Sequence, residues 1–267
     1  MCHKRILCLI ILVAGLCLSP IASALPIPCP AGNTSQSGQD HDGATCSPDF
    51  NYALGPHGPA HWGGTCNTGK MQAPIDIRNA KKASLPALAF AYEPASLNIL
   101  NDCNHYTVKI NYSGSSSITF GNRTYKLKQF HFHEPSEEAI DGNRASMVVH
   151  LVHEADDKSV AVVAALVQPG EENKLITTLL ANLPPKGEKR EFPYIKIDPT
   201  SLLPADRSFY MFAGSLTTPK CDEGVTWFVL KKPIYFSQPQ IDAYKKQYSG
   251  TARPLQPLNG RTIEESK

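Results

Sequence analysis

The sequence predicts a mainly β, α+β fold in a single domain, and three observations predict it. Seven segments rich in β-branched and aromatic residues follow one another, at 105–112, 117–120, 125–133, 146–153, 159–167, 208–216 and 226–236. Clusters of turn residues separate them, among them Ser113-Gly114-Ser115, Gly121-Asn122, Asp141-Gly142-Asn143 and Asp156-Asp157. Two stretches carry apolar residues at helical spacing, so a large sheet with helices around it is expected.

Taken in order, the chain opens on Lys4 and Arg5, an unbroken apolar run from Ile6 to Leu18, and Ala22-Ser23-Ala24. That is the pattern of a secretory signal over residues 1–24, and the run is short for a membrane span. Cleavage after Ala24 would leave 243 residues, enough for one domain. It would also remove Lys4 and Arg5, leaving 24 basic residues against 24 acidic ones. A balanced chain without a basic cluster argues against nucleic acid and against an anionic membrane surface as partners.

Residues 25–49, polar and Gly/Ser-rich over 31–48, predict a flexible leader. The domain is expected over 50–261, with 262–267 as a loose tail. "SVAVVAALV" (159–167) is apolar throughout, which predicts a central strand buried on both faces. One helix is expected from near Glu171, carrying Leu175, Ile176, Leu179 and Leu180. The other follows Gln238, with Ile241, Tyr244 and Tyr248 in step. Of the cysteines, Cys2, Cys8 and Cys17 leave with the signal. Cys29, Cys46, Cys66, Cys103 and Cys221 remain, an odd number that leaves one thiol without an intrachain partner. Disulfides suit an exported chain, secreted or periplasmic.

"KLKQFHFHEP" (126–135) carries the chemistry. On a strand, alternate residues share a face, so Gln129, His131 and His133 point the same way. Strand 146–153 follows after a loop holding Asp141-Gly142, and an antiparallel neighbour is expected. His150 then shares a face with Val148 and Val152, while His153 points to the other face and reads as structural. Two strands thus bring three imidazoles towards one point. Three neutral nitrogen donors with an open fourth position suit a catalytic zinc ion. A secreted zinc protease would need a His-Glu-x-x-His helix, which the sequence lacks.

"QFHFHEPSEE" (129–138), "HLVH" (150–153), "GSLTTP" (214–219), "EGVTW" (223–227), "GPAHWG" (58–63), "QAPIDI" (72–77) and "ARPLQPLNGR" (252–261) together resemble an α-class carbonic anhydrase of the secreted or periplasmic kind. The resemblance runs from about Tyr52 to Arg261. It implies a central, twisted, mostly antiparallel sheet of about ten strands with short surface helices. It implies reversible hydration of CO₂ to bicarbonate and a proton, by hydroxide generated on zinc. Zinc lowers the pKa of bound water to about 7, carbonic anhydrase being the standard instance. His131, His133 and His150 would be the ligands. Thr217 would orient the hydroxide and donate its own hydrogen bond to Glu137, with Thr218 beside it on the cavity wall. Gln129 would hold the outer nitrogen of His131. Val152, Val162, Leu216, Val225 and Trp227 would line an apolar CO₂ pocket. Anions and sulfonamides would inhibit, and the chain would be a monomer or homodimer. The competing class is a carbonic-anhydrase-like zinc-binding recognition domain with little catalysis; such relatives typically lose a ligand histidine.

The chain also departs from the family. In "NDCNHY" (101–106) the shuttle position indexes to Asn104 from the left and Tyr106 from the right, and His105, between them, is the candidate proton shuttle. Val148 stands where the family usually has a Glu behind the third ligand, Glu138 where it has a His, and Phe212 where it has a Tyr. Glu138 is therefore expected to supply His150 with the carboxylate that Val148 cannot. Lys220 replaces a Pro, which argues against the family's cis bond after Pro219, while Ala73-Pro74 is an expected cis bond. Cys66 and Cys221 occupy the positions that secreted members join. Cys29 with Cys46 would close the leader, and Cys103 would be the odd thiol.

Overall fold

The structure is a computed structural model that describes Cys46 and residues 48–267. The expected signal, Cys29 and nearly all of the leader lie outside the described residues. The main sheet runs through ten strands in the order Lys189–Ile197, Ala95–Asp102, Thr107–Asn111, Arg123–His133, Met147–Glu154, Val160–Pro169, Glu223–Leu230, Phe209–Ser215, Glu264–Glu265 and Lys81–Lys82. Three more strands join off this path, and a separate three-stranded sheet lies beside it. Neighbours on the path are antiparallel except Val160–Pro169 with Glu223–Leu230 and Glu264–Glu265 with Lys81–Lys82. The mostly antiparallel, mainly β architecture is the one expected.

The alternation of side chains divides the core into two layers. Val162, Ala164 and Leu166 join Val148, Val225, Trp227 and Val229 on the face that carries the site. Ala161, Val163, Ala165 and Val167 join Phe130, Phe132 and Leu151 on the other face. The 159–167 run is therefore apolar because both of its faces are covered. The helices cover the second layer. Lys174–Ala181 begins after Asn173, whose side chain accepts from the backbone N–H of Leu175 and Ile176, and it buries Leu175, Ile176 and Leu179. Gln238–Gln247 begins at a capping box between Ser237 and Gln240 and buries Ile241 and Tyr244.

Asp141 and Gly142, both at positive φ, make the two-residue turn between Ala139–Ile140 and Asn143–Arg144. This small hairpin lies within the connection between the two histidine strands. The expected loose tail is instead ordered. Glu264–Glu265 pairs with Tyr210 and Met211 on one side and with Lys81–Lys82 on the other. Its charged side chains hid it, because a two-residue strand held by backbone pairing on both sides needs no apolar face. Lys231 Nζ meets Glu265 Oε2 at 2.8 Å, and Ile263 anchors the segment in the core.

Candidate metal centre

Arg123–His133 and Met147–Glu154 sit fourth and fifth in the ten-strand order, away from either edge. Their register sets His150 opposite His131, Val148 opposite His133 and Val152 opposite Gln129. Directly opposed residues on an antiparallel pair present side chains to the same face. The three imidazoles accordingly converge, one nitrogen of each lying within 4.8 Å of the others.

The outer nitrogens decide which atoms face inward. His131 Nδ1 is 2.8 Å from Gln129 Oε1, and His133 Nδ1 is 2.8 Å from the backbone oxygen of Thr251. His150 Nε2 lies 3.1 and 3.3 Å from the two carboxylate oxygens of Glu138. Carbonyl and carboxylate oxygens only accept, so each of those nitrogens carries the proton. Lone pairs are thereby left on Nε2 of His131, Nε2 of His133 and Nδ1 of His150. Among the described residues His133 Nε2 is buried without a hydrogen-bond partner, which a protein seldom tolerates unless another ligand uses the atom. The donor set therefore fits zinc, which takes neutral imidazoles whose second nitrogen is held from behind.

The electrostatics follow the same layout. Burial, then the two neighbouring imidazoles, holds His131 well below its ordinary pKa, and burial also lowers His133. Burial pulls His150 the same way, but the Glu138 carboxylate, assisted by Glu137, outweighs it and raises His150. Burial acts to raise Glu138, and His150 overcomes it, holding the carboxyl below its usual range. The carboxylate expected from Glu138 is thus in place, while Val148 and Phe212 pack in the apolar layer. Phe212 stacks on Trp227 with the rings 4° from parallel.

Glu137 is fully buried, and its Oε1 accepts the backbone N–H of Arg253 at 2.8 Å. Its Oε2 lies 3.5 Å from His133 Nε2 and 3.9 Å from His150 Nδ1, and makes no hydrogen bond among the described residues. The expected bond from Thr217 is therefore not made here, because that oxygen faces the imidazoles. Arg253 locks this corner from beneath. Its guanidinium donates to Gln72 Oε1, Ala73 O and Cys66 O. Both Arg253 and the Thr251 carbonyl support the site without having been expected there.

A cavity of about 190 Å³ opens over the three histidines, with Val152, Val162, Leu216, Thr217, Thr218 and Trp227 in its wall. Trp227 presses against Gly214, where a β-carbon would come within 2.7 Å of its ring. That close approach explains the glycine. Val225 is not among the residues of the wall; it is buried in the apolar layer with Val148 and Val162, opposite Gly214 in the register. His105 does line the cavity, and its side chain is half exposed. His57 and His61 are exposed and absent from the wall, whereas His153 is buried on the opposite face, its Nε2 2.7 Å from Tyr92 Oη.

Cys66 and Cys221 are joined, closing the loop that carries Thr217 and Thr218. Cys46 pairs with Cys103, not with Cys29. Cys103 is therefore not the odd thiol. The turn holding it comes within reach of the segment before the domain, a proximity that sequence spacing does not encode. Ala73–Pro74 is cis as expected, and Pro219–Lys220 is also cis despite the missing proline.

A family profile described as eukaryotic-type carbonic anhydrase matches residues 57–267. A carbonic anhydrase of Pectobacterium carotovorum is 37% identical over 227 residues, covering 82% of this chain and 92% of the relative. The solved α-carbonic anhydrase of Photobacterium profundum is 41% identical with a TM-score of 0.76, covering 82% of this chain and all of that one. That of Thermovibrio ammonificans, solved with the inhibitor sulfanilamide, is 34% identical with a TM-score of 0.77, covering 83% and 100%. Fold, histidine cluster and these likenesses agree, and the chain belongs to the α-class, or eukaryotic-type, carbonic anhydrase family.

Proposed function

We propose that this chain interconverts CO₂ and bicarbonate at a zinc ion held by His131, His133 and His150. Bound there, zinc would act as a Lewis acid that makes hydroxide available near neutral pH, the role it plays in carbonic anhydrase generally. The observation that carries the reading is the set of three inward lone pairs at the floor of a cavity with one apolar wall. Gln129, the Thr251 carbonyl and Glu138 orient the imidazoles. Val152, Val162, Leu216 and Trp227 offer an uncharged surface suited to CO₂, which needs no ionic clamp. Thr217 and Thr218 supply hydroxyls on the polar side, and Glu137 lies buried against His133 and His150. Each hydration releases a proton, and His105 carries it from the cavity to solvent.

Stopped-flow CO₂ hydration of zinc-loaded and chelator-stripped protein tests this. Activity that appears with zinc and disappears with the chelator is expected. A protein that holds zinc but hydrates no CO₂ would be the recognition domain instead. Sulfonamides and small anions should inhibit. Two disulfides suit a secreted or periplasmic site of action, and no helix among the described residues is long and apolar enough to cross a membrane.

A further inference from the structure

We propose that Asp102 is a positioning residue for proton export, acting through His105. The inference rests on the reading that His105 carries the proton. Asp102 ends the strand Ala95–Asp102, and Thr107, its register partner, begins the next. The turn between them presents His105 to the cavity that His131, His133 and His150 floor. Asp102 itself is buried, its side chain 6% exposed, whereas the His105 side chain is 49% exposed. The carboxylate therefore grips the imidazole from inside while the ring remains open to solvent.

The grip has two points. Asp102 Oδ1 accepts the backbone N–H of His105 at 3.2 Å, and Oδ2 lies 3.0 Å from His105 Nδ1. A carboxylate only accepts, so Nδ1 carries a proton and Nε2 is left with the lone pair. Nε2 is then the atom that takes a proton from cavity water and passes it to a buffer base. Asp102 stays ionised throughout, and no proton is stored on it. Lys109 Nζ meets Oδ2 at 2.6 Å. Burial alone would raise the Asp102 carboxyl, but its bonds to His105 and Lys109 hold it well below the usual carboxylate range. Two further contacts fix the turn. Cys103 is bonded to Cys46, and Phe50 meets the His105 ring edge-on at 6.1 Å. A ring freed from Asp102 would keep its place in the chain but lose its direction and its fixed tautomer.

The test separates proton export from CO₂ hydration. At initial rates kcat/KM covers the steps to bicarbonate release, whereas kcat also includes regeneration by proton transfer. In dilute buffer, Asp102→Ala in the zinc-loaded protein should lower kcat by roughly tenfold with kcat/KM unchanged. Concentrated imidazole should restore it, because a free base replaces the misdirected ring. Asp102→Asn, which keeps an acceptor for Nδ1–H and the side-chain volume, should lose less, and it serves if the alanine variant does not fold. His105→Ala should show the same pattern, and adding Asp102→Ala to it should change nothing more.

Unchanged kcat in His105→Ala overturns the shuttle reading and this inference with it. A fall in His105→Ala without one in either Asp102 variant overturns the positioning role alone. So does a parallel fall in kcat/KM, or a further fall when Asp102→Ala is placed in the His105→Ala background.

Discussion

Glu138→Gln isolates the electrostatic part of the metal centre. Glu138 is completely buried, and both of its oxygens face His150 Nε2. Glutamine keeps the volume and one acceptor oxygen but removes the charge. A hydrogen bond to a charged group is worth about 1.5–3 kcal/mol and one between neutral groups about 0.5–1.5, so about 1–2 kcal/mol is lost. That corresponds to a zinc affinity weakened roughly 5- to 30-fold, which overlaps the range seen when partners behind metal ligands are changed.

The effect should depend on pH. Glu138 helps to hold His150 above its ordinary pKa, so in the metal-free protein zinc competes with a proton there. As pH falls, the wild type meets that competition earlier than the variant. The deficit is therefore largest above the raised pKa of His150 and narrows as pH falls through it. Zinc occupancy against a competing chelator, measured at several pH values on protein with native far-UV signal, reads both results. An affinity within about twofold of wild type across the range would refute the assignment of Glu138 to His150.

Other outcomes follow from the same geometry. Thr217→Ala should lower kcat/KM by roughly 10²-fold with zinc content unchanged, since it removes a hydroxyl from the cavity wall beside the three imidazoles. Burial holds His153 down to about 3 from an ordinary 6.5, so the unfolded chain takes a proton there before the native one does. Its contribution to stability is complete above pH 6.5 and is lost as pH falls towards 3. Denaturant titrations of zinc-loaded protein at pH 7 and pH 5 should show wild type losing about 2 kcal/mol more than His153→Gln. Either disulfide, opened by Cys→Ser, should cost about 2–4 kcal/mol. Cys221→Ser should lower kcat/KM as well, because the lost disulfide no longer tethers the turn, closed by Cys221 N–H to Thr218 O, that adjoins Thr217; thermal melts and initial rates check both.

Much of this was legible because side-chain parity on strands is a rigid rule. It groups Gln129, His131 and His133 on one face of their strand and separates His150 from His153 on the next; the register then joins the two sets. The unbroken apolar run 159–167 announced a strand covered on both sides for a similar reason. Most of what escaped reading was long-range or carried by the backbone. The Thr251 carbonyl holds His133 through an atom that every residue has. Cys46 finds Cys103 because of where a turn lies in space. The grip of Asp102 on His105 is local, three residues apart, yet no pattern in the sequence singles it out. Val225 shares the apolar layer of Trp227 and Val162, but only those two line the cavity.

Placing the donors on the fourth and fifth of ten strands has a consequence for metal exchange. Fraying at a sheet margin reaches neither strand, and the 159–167 segment beside them is packed above and below. Escape of the ion by the sheet side would require the subglobal openings that slow amide exchange reports, rather than loop motion. Zinc loss by that side should therefore be no faster than exchange of the slowest amides of residues 129–133 and 148–152, which leaves the cavity as the faster way out.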